Sequence, residues 1–147
     1  MKSDSVTIIL AEDDDGHATL VQTNLQRAGV LNPFIRVADG LAALELLDSR
    51  GKPGSALSAS GSLLLVLDIK MPRMDGIELL ERLKQNPVYA KVPVIMLTTT
   101  DDPREIDRCY ELGCNVYISK PVEYANFIEA IRRLGLLLQI VQIPAST

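Results

Sequence analysis

A chain of 147 residues has room for one domain and a short extension, not for a sensor joined to an output module. Hydrophobic residues make up 47% and charged residues 23%, with 15 basic and 19 acidic side chains; this describes a globular chain with a sizeable core and excludes disordered and fibrous classes. The net charge of −4 offers no general attraction for a polyanion and no basic patch stands out, so nucleic-acid binding is not expected.

Along the chain, apolar runs too short for helices alternate with segments of helical period, the pattern of repeated βα units around a parallel sheet. Strands are expected at residues 6–11, 34–37, 63–67, 92–97 and 116–118. The first run is broken by Glu12, so neither a signal peptide nor a membrane span is expected there, and the cytoplasm is the default compartment. The intervening helices present Leu20, Asn24 and Ala28 flanked by Val21 and Leu25; then Leu41, Leu44 and Leu47; Ile77, Leu80 and Leu83; and Ile106, Cys109 and Leu112. Gly29, Gly40, Gly76 and Gly113 fall at helix ends or turns, where positive φ or close backbone approach is cheap. Residues 49–62, rich in Gly, Ser and Pro, read as a long loop, and neither an internal repeat nor a second domain boundary is visible. After residue 126 the chain supplies more apolar residues, from Phe127 and Ile128 to Leu136, Leu137, Leu138 and Ile143, than one helix face can hide on a sheet. A subunit interface involving an extension at about 135–147 is the reading, with a tail folded back on its own domain as the alternative.

Ligands of parallel α/β sheets bind beyond the carboxyl ends of the strands, so the residues leaving each strand matter most. Here they are Glu12-Asp13 after the first, Asp68 after the third, Thr98 at the end of the fourth and Lys120 after the fifth. Carboxylates drawn together at low dielectric are tolerable only if a cation neutralises them or some stay protonated; a hard divalent ion such as magnesium suits Glu12, Asp13 and Asp68, whereas clustered His and Cys for zinc are missing. With such an ion present, Asp68 is a reasonable nucleophile toward phosphorus, Lys120 offsets phosphoryl charge, and Thr98 can donate to a phosphoryl oxygen.

Glu12-Asp13, the segment Leu67-Asp68-Ile-Lys-Met-Pro-Arg-Met-Asp-Gly76, Pro93-Val-Ile-Met-Leu-Thr98 and Tyr117-Ile-Ser-Lys120-Pro121 closely resemble, in that order, the receiver domain of two-component response regulators. The resemblance covers residues 6–134. It implies a doubly wound, flavodoxin-like five-stranded parallel sheet of order 2-1-3-4-5 with helices on both faces and an extended C-terminal helix. It further implies Asp68 as phosphoacceptor, with Glu12, Asp13 and the Lys70 backbone carbonyl around magnesium or manganese. Thr98 and Lys120 become phosphate contacts, Tyr117 an aromatic switch that moves with Thr98, and Pro121 the second residue of a cis peptide. The implied donor is a histidine kinase; the implied output is a partner or self association, or transfer to a histidine phosphotransfer protein, rather than turnover of a metabolite. The tuning positions for hydrolysis hold Lys70 and Thr100, neither a strong general base at neutral pH, which predicts a phosphorylated lifetime longer than in fast chemotaxis receivers.

Residues 92–102, 115–122, 126–129 and 140–144 narrow the resemblance to single-domain regulators that serve phytochrome histidine kinases, a subgroup that tends to pair through its C-terminal half. Two rivals share parts of the pattern. A haloacid-dehalogenase-type phosphohydrolase would use Asp68 as nucleophile but needs an aspartate where Lys70 stands, and a flavodoxin-like flavin carrier needs a phosphate loop where residues 12–15 are all acidic. Simpler roles are expected elsewhere: Asp14, Asp15, Asp75, Asp101 and Asp102 at helix starts, His17 on the surface, and Cys109 and Cys114 as buried small hydrophobes.

Overall fold

The computed structural model describes residues 6–59, 61–120, 125, 126 and 129. Five strands, β1 (Val6–Ala11), β2 (Phe34–Val37), β3 (Ser62–Leu67), β4 (Val94–Thr98) and β5 (Val116–Ser119), alternate with helices α1 (Asp15–Arg27), α2 (Gly40–Asp48), α3 (Gly76–Gln85) and α4 (Pro103–Leu112). The strands form one parallel sheet in the order β2-β1-β3-β4-β5, the order expected from sequence. The Pro121 peptide, the C-terminal helix and the expected interface lie outside the described residues.

The period of two along each central strand sorts its side chains into two cores. Ile9, Ala11, Leu63, Leu65, Leu67, Val94 and Met96 meet residues of α2, α3 and α4; Ile8, Leu10, Leu64, Val66, Ile95 and Leu97 meet α1 on the opposite face. Because both faces are covered, these strands read as continuous apolar runs. β4 starts two residues later than expected because Pro93 has no N–H for the ladder, although its carbonyl still accepts from the Leu65 amide at 3.0 Å.

The expected stripe of α1 is corrected. Ala18, Val21 and Leu25, spaced three and four apart, are the buried residues, whereas Leu20 is 44% exposed. The row Leu20–Asn24 carries an amide, which donates to the Leu20 carbonyl at 2.8 Å. Each of the four helices starts on an aspartate whose carboxylate accepts a first-turn amide: Asp14 from His17, Asp39 from Ala42, Asp75 from Glu78 and Asp102 from Arg104. Cys109 and Cys114 are buried as expected, and burial pushes their thiols up to about 12 and about 11, which keeps them protonated and unreactive. The loop 49–61 is tied together by the Arg50 guanidinium, which donates to the Ser58 and Gly61 carbonyls, and by the burial of Leu57.

Candidate functional site

The sheet places the site by continuing its hydrogen-bond ladder past the strand ends. The Glu12 amide donates to the Val37 carbonyl at 3.0 Å, the Asp68 amide to Ala11 at 3.0 Å and the Lys120 amide to Thr98 at 2.6 Å. Glu12, Asp68, Thr98 and Lys120 are thereby fixed at one edge, with side chains that are all nine-tenths or more buried. Asp13 is exposed beside them.

One carboxylate oxygen from each of Glu12, Asp13 and Asp68 lies within 4.8 Å of the others. An all-oxygen donor set of this charge fits a hard divalent ion such as magnesium or manganese. The Lys120 ammonium takes one oxygen of each buried acid, Glu12 Oε1 at 2.6 Å and Asp68 Oδ2 at 3.4 Å. Of the remaining oxygens, Glu12 Oε2 accepts the Asp14 amide at 3.2 Å, and Asp68 Oδ1 makes a long contact with the Lys70 amide at 3.4 Å. Burial raises the Glu12 pKa above the ordinary carboxylate value, and the charge of Asp68 adds to the rise, while the hydrogen bond and charge of Lys120 oppose it.

Thr98 is fully buried, and the Thr100 amide reaches its Oγ1 at 3.5 Å. Thr100 is itself buried, and its hydroxyl is without a protein partner among the described residues. The Tyr117 hydroxyl donates to the Thr100 carbonyl at 2.6 Å, and burial pushes its pKa up to about 12. The residues read from the sequence as phosphate contact, tuning position and aromatic switch thus form one connected unit.

Lys70 is exposed on the loop that leaves Asp68, at an open depression of about 490 Å³ lined also by Asp13, Met71, Asp75 and Glu105. That loop is latched to α2. Arg73 adopts φ of 66°, a left-handed conformation costly for a side chain with a Cβ, and its guanidinium grips Asp39 through Nε at 2.9 Å and Nη2 at 3.1 Å. The Gly40 amide donates to the Met74 carbonyl at 3.1 Å. Arg73 and the Ala42 amide hold the Asp39 carboxyl below the usual carboxylate value. A depressed native pKa contributes stability that is present above the unfolded value near 4 and lost as pH falls through the native one. Asp39→Asn is therefore expected to destabilise at pH 7, and the gap to wild type in urea melts is expected to close below about pH 4; a gap that persists unchanged at pH 3 would refute the charge argument.

Three residues of this site were not read from the sequence. Asp39 and Arg73 are 34 positions apart, and no local pattern links them. His17, expected on the surface, is only partly exposed, and its Nδ1 lies 3.2 Å from Lys120 Nζ and 4.0 Å from Glu12 Oε2. A histidine three residues past the Asp14 cap sits on the first turn of α1, directly after the acidic strand end, and that placement was the available signal.

A parallel α/β domain that gathers acids, a lysine and a threonine where its strands end has the site of a protein that takes up phosphoryl groups on aspartate. The sequence pattern of the response regulator receiver domain matches residues 8–132, and the chain belongs to that family. It is 31% identical over 140 residues to the response regulator Rcp1 of Synechocystis, with 95% of this chain and 93% of Rcp1 covered. A receiver domain from Rhodospirillum rubrum superposes with a TM-score of 0.72 at 46% identity, covering 91% of this chain and 94% of that one. The phosphorylated cyanobacterial phytochrome response regulator RcpA gives 0.75 at 27% identity, covering 90% and 94%. The manganese-bound form of Rcp1 gives 0.71 at 31% identity, covering 87% and 90%. The chain is thus a two-component signalling protein whose class of upstream partner is a histidine kinase, and the phosphohydrolase alternative is not favoured. Among the described residues no helix is long and apolar enough to cross a membrane.

Proposed function

We propose that Asp68 accepts a phosphoryl group from the phosphohistidine of a histidine kinase, with magnesium or manganese held by Glu12, Asp13, Asp68 and the Lys70 carbonyl. The meeting of buried Glu12, Asp68, Lys120 and Thr98 with exposed Asp13 at one edge of the sheet is the observation that carries the reading. An Asp68 carboxylate oxygen forms the new bond to phosphorus as the P–N bond breaks; the bond pair leaves with the imidazole, which gains a proton. A bound divalent ion supplies charge neutralisation at the phosphoryl oxygens. Lys120 pairs with one of those oxygens and the Thr98 hydroxyl donates to another, and Tyr117 gives up the Thr100 carbonyl as Thr98 moves.

The output is a changed association rather than turnover: with a partner, with a histidine phosphotransfer protein, or with a second copy through the C-terminal half, where the sequence is over-rich in apolar residues. The likeness to RcpA supports a phytochrome-type kinase upstream. The test is incubation with phosphoramidate and magnesium, or with a phytochrome-type kinase and ATP, followed by intact-mass analysis and light scattering. One phosphoryl group per chain is expected, dependent on the metal; no uptake from either donor would sink the assignment. Lys70 and Thr100 offer no general base for water, so the phosphorylated protein is expected to outlast the fast chemotaxis receivers, and decay within seconds in magnesium buffer would contradict that.

A further inference from the structure

Lys120 has three ammonium protons and three protein acceptors within reach: Glu12 Oε1 at 2.6 Å, His17 Nδ1 at 3.2 Å and Asp68 Oδ2 at 3.4 Å. Two of the three are carboxylates with a second duty in the reading above. Glu12 would also hold the divalent ion, and Asp68 carries the oxygen to be phosphorylated. Both carboxylate contacts therefore change during the reaction: the ion competes for Glu12, and phosphorylation turns the Asp68 carboxylate into an acyl phosphate, whose phosphoryl oxygen has to become the ammonium's new partner. The imidazole has no such second duty: with its ring proton on Nε2, Nδ1 faces the ammonium as an acceptor throughout.

We infer that His17 is a positioning residue for phosphoryl transfer: its Nδ1, with the ring proton on Nε2, holds the Lys120 ammonium toward Asp68 while Glu12 engages the metal. The placement is well supported locally. The first turn of α1 is fixed by the Asp14 carboxylate, which accepts the His17 backbone amide at 2.9 Å, and by the burial of Ala18 beside it. The ring is 44% exposed, so it is not a packing element of the core. Its best defined polar contact is the one to Lys120.

The inference rests on Asp68 phosphorylation, and the experiment separates the two. Rates of phosphorylation by phosphoramidate with magnesium are measured by intact mass for wild type, His17→Ala, His17→Asn, Lys120→Ala and the double variant His17→Ala with Lys120→Ala, and magnesium affinity is read by calorimetry. Alanine is a better helix former than histidine and leaves the backbone cap in place, so folding is retained. His17→Ala is expected to slow phosphorylation about tenfold, the effect of losing one hydrogen bond to a charged group. His17→Asn, whose amide oxygen can stand near the Nδ1 position, is expected to recover most of the rate. Magnesium affinity should stay within about twofold of wild type, because the imidazole is not a metal ligand here. On the Lys120→Ala background, removing His17 should cost nothing further, since the effect runs through the ammonium. A wild-type rate in His17→Ala, an equal loss on the Lys120→Ala background, or no recovery in His17→Asn would each overturn the positioning role. Failure of wild type to take up phosphate would overturn the phosphoacceptor reading, and this inference with it.

Discussion

Asp68→Asn is expected to abolish phosphoryl uptake and, in metal-free buffer, to melt higher than wild type. The first effect follows from chemistry, because a neutral amide oxygen is a poor nucleophile and cannot form the acyl phosphate. The second follows from charge. In the unmetallated site Glu12, Asp13 and Asp68 lie within 4.8 Å of one another, and at an effective dielectric near 20 each pair repels by roughly 3 kcal/mol or more. Asp68 takes part in two such repulsions and in one attraction, to Lys120 at 3.4 Å, worth roughly 5 kcal/mol on the same scale. The repulsions win, by a margin that solvent at the exposed Asp13 reduces to about 1 kcal/mol. Relief of that repulsion corresponds to a rise of about 2 to 4 °C in melting temperature. Magnesium should reverse the order, because a ligand stabilises the native state in proportion to the logarithm of its occupancy ratio, and wild type binds the ion with one more carboxylate. Thermal scans with chelator and with millimolar magnesium check both signs; a variant that melts below wild type under both conditions would mean that the acidic cluster stores no repulsion.

The sequence made the fold and the acidic edge legible for the same reason: both are written in consecutive residues. Strands covered on both faces must be continuously apolar, and the residue leaving each strand is adjacent in sequence to the run that identifies it, so Glu12, Asp13, Asp68, Thr98 and Lys120 could be read off directly. The stripe of α1 was misread because two apolar rows run along that helix, and only the sheet decides which of Leu20 or Val21 faces it. The Arg73–Asp39 latch is an exposed-looking arginine paired across 34 residues, and its left-handed backbone has no glycine to mark it. His17 looked like a surface residue because its partner lies 103 positions away, on the far side of three crossover connections. Local pattern specifies what each strand end offers; only the assembled sheet specifies which side chains from elsewhere reach it.

Gly76→Ala should be the most damaging single-methyl change near the site. Gly76 opens α3, and its amide donates to the Ile69 carbonyl at 2.8 Å, closing the loop that begins at the phosphoacceptor. A Cβ built there would overlap the Asp68 carbonyl oxygen and would stand 2.9 Å from the Asp68 carbonyl carbon and 3.0 Å from Ile69 Cα. All three obstacles are backbone, so no side chain can rotate away. Either α3 retreats from the sheet, opening the contacts of Leu79, Leu80 and Leu83, or the Asp68–Ile69 peptide tilts and carries the phosphoacceptor out of register with Lys120. Overpacking of this kind costs about 3 kcal/mol, or about 10 °C of melting temperature for a chain of this size. Phosphorylation should slow as well, since tilting that peptide strains the hydrogen bond from the Asp68 amide to the Ala11 carbonyl that sets the position of the phosphoacceptor. Gly29→Ala is the matched control: Gly29 has φ of 84°, so alanine there is strained, but nothing lies within 4 Å of the added carbon. That variant should lose about 1 kcal/mol and phosphorylate at the wild-type rate. If instead the two variants melt together and both phosphorylate normally, α3 has freedom to slide along the sheet, and the Asp68–Gly76 contact is not what sets the position of the phosphoacceptor.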